Sequence, residues 1–143
     1  MKRYRFRLES VLRVRRLQED VARAALAEAT AAVAAAAAAQ AHAAEWLDGL
    51  RAEPAPDSAP AWEAARVVQL AAAEELAARG VELDGARAEQ RNRRAVLAEA
   101  RTRVRALERL DERRRAEHER EVARQDERAA DDLVTSRHGR RTA

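Results

Sequence analysis

The stretch EPAPDSAP, residues 53–60, decides how this chain folds. It holds all three prolines of a 143-residue sequence. Proline has no amide hydrogen, and its ring collides with the preceding helical turn, so no helix continues through this stretch. Asp57 or Ser58 can cap a second helix, with Pro60 in its first turn. The chain therefore reads as a helix over about 4–52, a connection at 53–60 and a second helix over about 61–134. The basic tail, 135–143, is expected to be disordered.

Working outward from the connection, both helices carry apolar residues at heptad spacing. On the first, Leu26, Val33, Gln40 and Leu47 stand seven apart, with Ala29, Ala36, Ala43 and Leu50 three further on. Upstream, Leu8, Val11, Leu12, Val14, Leu17 and Val21 continue the stripe with a phase shift. On the second, Leu76, Leu83, Gln90, Leu97 and Val104 stand seven apart, with Ala86, Ala100 and Leu107 as companions. A short connection makes the helices antiparallel neighbours. The expected fold is all-α: a long antiparallel two-helix coiled-coil hairpin with an overhanging C-terminal helix. It forms one domain over 1–134.

Composition agrees. Hydrophobic residues make up 47%, mostly alanine, and aromatics only 3%, which suits long helices better than a globular core. The run ATAAVAAAAAAQAHAA, residues 29–44, is too short and too alanine-rich to span a bilayer. Folding back near residue 57 sets it opposite roughly 71–85, where Ala71, Ala72, Ala73, Ala77, Ala78, Gly80 and Gly85 lie. Small residues facing small residues allow a close helix approach. Gly80 and Gly85 are then either close-approach points or places where the helix kinks or frays.

At 1.5 Å per residue the helices measure about 70 Å and about 110 Å, so the second overhangs the first from near Leu110. There, large apolar residues give way to i,i+4 pairs: Asp111 with Arg115, Arg113 with Glu117, and Arg115 with Glu119. At the other end Trp46 and Trp62 flank Pro54, Pro56 and Pro60. The two indoles are expected to pack on each other and staple the hairpin tip.

The chain has no cysteine, and His42, His118 and His138 sit on separate segments. No phosphate loop or nucleophile motif is present, and a two-helix hairpin offers no enclosed pocket. No enzyme, cofactor or metal is expected. Binding remains. The N-terminal turns carry Lys2, Arg3, Arg5, Arg7, Arg13, Arg15 and Arg16 against a single Glu9, interleaved with Tyr4, Phe6, Leu8, Val11 and Leu12. Such a start can dock on a protein groove, an acidic surface or anionic lipid. Elsewhere arginines alternate with carboxylates and stacking aromatics are missing, which weighs against nucleic acid.

Three blocks resemble one family. FRLESVLRVRRLQEDVARAALAEA, residues 6–29, is similar to the opening of the FliJ family of the flagellar type III export apparatus. RRAVLAEARTRVRALERLDERRRAEHERE, residues 93–121, resembles its second-helix run, and DERAADDLVTSR, residues 126–137, its closing pattern. Glu127 stands where that family often has Gln, and Arg128 where it has Lys. The mid-arm aromatics of some members are absent.

The resemblance implies a stalk at the cytoplasmic face of the plasma membrane, at the flagellar base. The end bearing both termini would engage the hexameric export ATPase. Other partners would be the cytoplasmic domain of the membrane export gate and the export chaperones, with no nucleic acid and no membrane span. The ring-facing residues would be Phe6, Leu8, Val11, Leu12, Arg13, Arg16, Leu107, Leu110, Arg113 and Arg114, with Asp131, Asp132 and Leu133 from the closing motif. The alternatives are a nucleic-acid-associated coiled coil and a structural adaptor with another partner.

Overall fold

A computed structural model describes residues 3–139, with side chains through Asp131. It contains two helices, α1 (Glu9–Ala52) and α2 (Ala59–Gly139), packed as an all-α hairpin. No strand occurs among the described residues. The chain divides into two compact units, one of residues 1–18 with 100–143 and one of residues 19–99.

The 19–99 unit contains the elbow. α1 stops at Ala52, two residues before Pro54, with Arg51 in its last turn where a cation complements the helix dipole. α2 starts under a Ser58 cap: the Ala61 amide donates to Ser58 Oγ at 3.4 Å, and the Trp62 amide donates to the Ser58 carbonyl at 3.0 Å.

Three contacts fix the antiparallel register. Gln69 Nε2 donates to the Leu50 carbonyl at 3.2 Å, Gln40 lies against Gly80, and Gln90 Nε2 donates to Thr30 Oγ1 at 3.1 Å. The Ala run therefore faces a segment that ends near Gln90, not at residue 85. The reason lies in the elbow. The prolines hold 54–56 out of helix, and the first turns of α2 are spent before Gln69 meets Leu50.

Four of the seven buried residues in this unit are alanines: Ala22, Ala29, Ala43 and Ala72, beside Leu47, Leu83 and Leu97. Ala72 is completely covered. Half-buried Leu26, Val33, Gln40 and Leu50 complete the heptad positions of α1, as Leu76, Ala86 and Gln90 do on α2. Upstream, the seam keeps its phase through Glu19 rather than shifting to Val21, which is 70% exposed.

The glycines need no close approach. A Cβ on Gly80 would meet only the flexible Gln40 amide at 3.5 Å, and one on Gly85 would meet nothing within 4 Å. α2 runs unbroken through both. The indoles do not staple the tip. Trp62 sits under the proline segment, with Arg66 5.6 Å from its ring centroid, while Trp46 lines a separate cleft with His42 and Ala71. The same register sets Trp46 opposite the stretch of α2 around Ala71 and Glu75, inside the seam, and leaves Trp62 beyond the end of α1.

In the other unit Leu12 and Val104 form the buried core. Residues 3–8 precede α1, which begins at Glu9 rather than near residue 4. Glu9 is the acid of the first turn, where the positive end of the helix dipole favours it over Arg5 or Arg7. α2 is helical past residue 134 as far as Gly139, because no proline or glycine interrupts it earlier in that stretch. Residues 140–143 of the tail lie outside the described residues.

α1 is the one helix among the described residues long and apolar enough to cross a membrane, with mean hydropathy 1.4 over its most apolar window. Alanine supplies that value, and alanine gains little in lipid.

Replacing Leu83, 3% exposed, by alanine should cost about 2–3 kcal/mol in urea unfolding followed by circular dichroism. Val81→Ala, at a site 74% exposed, should cost less than about 0.5 kcal/mol. Gly85→Ala should instead stabilise by about 0.5–1 kcal/mol, since helix propensity improves and the methyl meets open space. A loss of stability at Gly85 would restore the close-approach reading.

Candidate functional site

Residues 3–8 lie as a strap on α2, and Tyr4 fastens it. The Tyr4 hydroxyl donates to Asp111 Oδ1 at 2.7 Å and approaches the Asp111 carbonyl at 3.3 Å. Arg115 sits 5.7 Å from the ring centroid and reaches Asp111 Oδ2 at 3.7 Å. The His118 ring lies 5.7 Å away, tilted by 41°. One phenol thus joins a carboxylate, a guanidinium and an imidazole on successive turns of α2. Partial burial, then the hydrogen bond and the negative charge of Asp111, push the Tyr4 phenol above its ordinary range.

The strap gathers side chains from distant parts of the sequence. Phe6, Leu8, Leu110 and Arg114 line one open cleft together with Tyr4, Arg5, Arg7, Glu117, His118 and Glu121. Its apolar lining is Phe6, Leu8 and Leu110, and its charged lining sets Arg5, Arg7 and Arg114 beside Glu117 and Glu121. Arg13 lines a neighbouring cleft with Arg5, Phe6, Arg7, Glu9 and Ser10.

The other sequence-derived residues divide. Leu12 is 7% exposed and belongs to the core. Arg16 is tied across the helices to Glu108 at 2.9 Å. Leu107 is half-buried, Val11 is 41% exposed, and Arg113 is exposed. Asp131 is exposed, while the side chains of Asp132 and Leu133 lie outside the described residues, as does that of His138.

Of the expected i,i+4 pairs, Asp111 with Arg115 forms. Glu117 is met by Arg114 at 3.3 Å, and Arg115 is committed to Asp111 and Tyr4. The strap also covers part of the predicted overhang. Arg3 and Tyr4 line a cleft with Val122 and Asp126, so α2 is accompanied well past Leu110.

Sequence reading misses the latch. Tyr4 is the only tyrosine, and it stands among arginines in a segment that forms no helix. That is the available signal. The residues Asp111, Arg115 and His118 carry none beyond helical spacing. Among the described residues, no group of three His, Cys, Asp or Glu stands together as a metal site. In the 19–99 unit, Ala39, His42, Ala43, Trp46, Ala71, Glu75 and Arg79 line a shallow cleft. Arg79 is held there by Glu82 at 2.9 Å and Glu75 at 2.8 Å, and both raise its pKa.

A family model for the flagellar FliJ protein matches residues 4–143, which is nearly the whole chain. No curated protein matches the sequence, and no solved structure matches it.

Because the folded state favours the protonated phenol, the latch is complete at neutral pH and is lost as pH rises through the folded-state pKa. Tyr4 is the only tyrosine, so the tyrosinate ultraviolet band reads it alone. Its titration midpoint should lie above the ordinary value of about 10. Asp111→Ala should bring it back toward that value; an unchanged midpoint would mean that Asp111 does not hold the strap.

Proposed function

The chain belongs to the flagellar FliJ family of the flagellar export apparatus, and from that premise we propose that it is a non-enzymatic stalk that docks into the hexameric export ATPase. The docking surface is the end carrying the strap. One observation supports this most directly: Tyr4 pins residues 3–8 onto α2, so that Phe6 and Leu8 share a cleft with Leu110 and Arg114. Apolar side chains beside three arginines and two glutamates suit a partner surface that is apolar and carries both acidic and basic groups.

Within this reading the residues have different tasks. Phe6, Leu8, Val11, Arg13, Leu110, Arg113 and Arg114 contact the ring. Leu12, Leu107 and Arg16 hold the two helices in register beneath that surface, because Leu12 is buried and Arg16 is spent on Glu108. Asp131, Asp132 and Leu133 extend the contact along the end of α2. The stalk then couples the ATPase to the cytoplasmic domain of the membrane export gate and receives export chaperones, working at the cytoplasmic face of the membrane.

The test is the ATPase rate of the hexameric ring with and without this protein. Reversing Arg13, Arg113 and Arg114 to glutamate should abolish stimulation while helicity is unchanged. Undiminished stimulation would remove these arginines from the contact. Arg16→Ala should behave differently: both partners of that bridge are largely exposed, so stability falls by less than about 1 kcal/mol and stimulation persists.

A further inference from the structure

We propose that the elbow and the first turns of α2 form a docking surface for a basic, apolar segment of a partner protein. α1 ends at Ala52, and Gln69 is the residue of α2 that reaches the Leu50 carbonyl, so the turns before it lie against the proline segment and not against a helix. Trp62, Arg66 and Leu70 stand four apart on one face of α2, with Glu63 and Val67 in the adjoining row. Trp62, Val67 and Leu70 are 53%, 66% and 53% exposed. In a chain with only 3% aromatics, an indole left half open beside a leucine and a valine is a surface that a partner can bury.

Charge identifies what covers this surface. Residues 45–66 hold five carboxylates against two arginines, in a chain whose net charge is +3. Both cations are engaged: Arg51 reaches Asp48 at 3.9 Å, and the Arg66 guanidinium lies 5.6 Å from the Trp62 ring centroid. Among the described residues no ion pair is formed by Glu45, Glu53, Asp57 or Glu63, and all four are exposed. Further along α2 the carboxylates Glu75, Glu82, Asp84 and Glu89 each meet an arginine of their own helix. The Trp62 ring shows the chemistry that fits: it accepts a guanidinium from Arg66 and still has surface open to a second cation.

An anionic lipid surface or a nucleic acid would present phosphates to four unanswered carboxylates and is disfavoured. A protein segment with arginines or lysines among aliphatic residues answers the carboxylates, lays a cation on the indole and covers Val67 and Leu70. A second copy of this chain is a weaker fit. Its basic N-terminal strap is already pinned by Tyr4, with Phe6 and Leu8 committed to a cleft on α2. The surface belongs to the 19–99 unit, and the inference does not rest on the ring-docking reading.

The test adds a peptide that alternates arginine with leucine to the full chain. Two control peptides replace its arginines by glutamate or its leucines by serine. On a Trp46→Phe background Trp62 is the only tryptophan, so its emission reads this surface alone. That emission should shift to the blue with the arginine–leucine peptide and with neither control, and binding should weaken as salt rises. Glu53→Gln with Glu63→Gln should weaken binding about fivefold, and Leu70→Gln about tenfold. The matched pair Glu28→Gln with Glu89→Gln, at exposed sites away from the elbow, should leave binding unchanged.

Equal binding by the Glu53/Glu63 variant, or equal binding of the glutamate peptide, would overturn the proposal. So would peptide binding that leaves Trp62 emission unchanged in the folded chain, since the contact would then lie elsewhere. If the chain without peptide sedimented as a concentration-dependent assembly that Trp62→Ala dissolves, the occupant would be a second copy and the partner reading would fall. Ring stimulation is measured separately, and its failure would count against the ring contact alone.

Discussion

Two helices can hold each other through alanine only if their register is fixed by something other than bulk. In the 19–99 unit that role falls to two hydrogen bonds along a thin apolar seam, Gln69 to the Leu50 carbonyl and Gln90 to Thr30, with the Gln40 side chain seated beside Gly80 between them. A seam of methyl groups would tolerate sliding, because one alanine is much like the next. Glutamines among them are not interchangeable, and the hydrogen bonds of Gln69 and Gln90 are lost if the helices slip by a turn. Leu47, Leu83 and Leu97 supply the larger buried surfaces. The proline elbow then determines which residues meet, since it sets how much of α2 is used before the seam begins.

Much of the fold is legible directly in residue order. Three clustered prolines and two heptad patterns predict a hairpin, and the seam positions from Leu26 to Leu50 and from Leu76 to Val104 are the ones found facing inward. Register is harder to read. It depends on how many residues the elbow occupies, and no pattern in EPAPDSAP states that the first turns of α2 extend beyond α1. The tryptophans are misplaced for the same reason, since their pairing requires a symmetric turn. Val11, Val14 and Leu17 mislead differently: apolar residues ordinarily mark the buried face, whereas here Arg15 and Glu19 occupy seam positions and the valines face out.

The candidate site is legible as composition but not as geometry. A basic, apolar N-terminus is visible in the first 16 residues, and the antiparallel hairpin brings it to the later part of α2. That Tyr4 crosses to Asp111, with Arg115 and His118 beside its ring, depends on a long-range side-chain fit that leaves no local signature. The latch has a clear physical role. Without it, residues 3–8 would be a free arm losing conformational entropy on any encounter. Pinned, they form part of a surface that exists before a partner arrives. The family match adds a flagellar export setting in which such a ready-made end has an evident use.

The central claim is that residues about a hundred apart in sequence form one preformed end surface. Arg7 and Arg114 line the same cleft, and the chain contains no native cysteine. Spin labels on Arg7→Cys and Arg114→Cys, measured by electron double resonance in the isolated protein, therefore test it directly. The account predicts one narrow, short distance that persists without any partner. A broad or long distribution would contradict it, because the strap would then be a loose arm and the shared surface would not exist until binding.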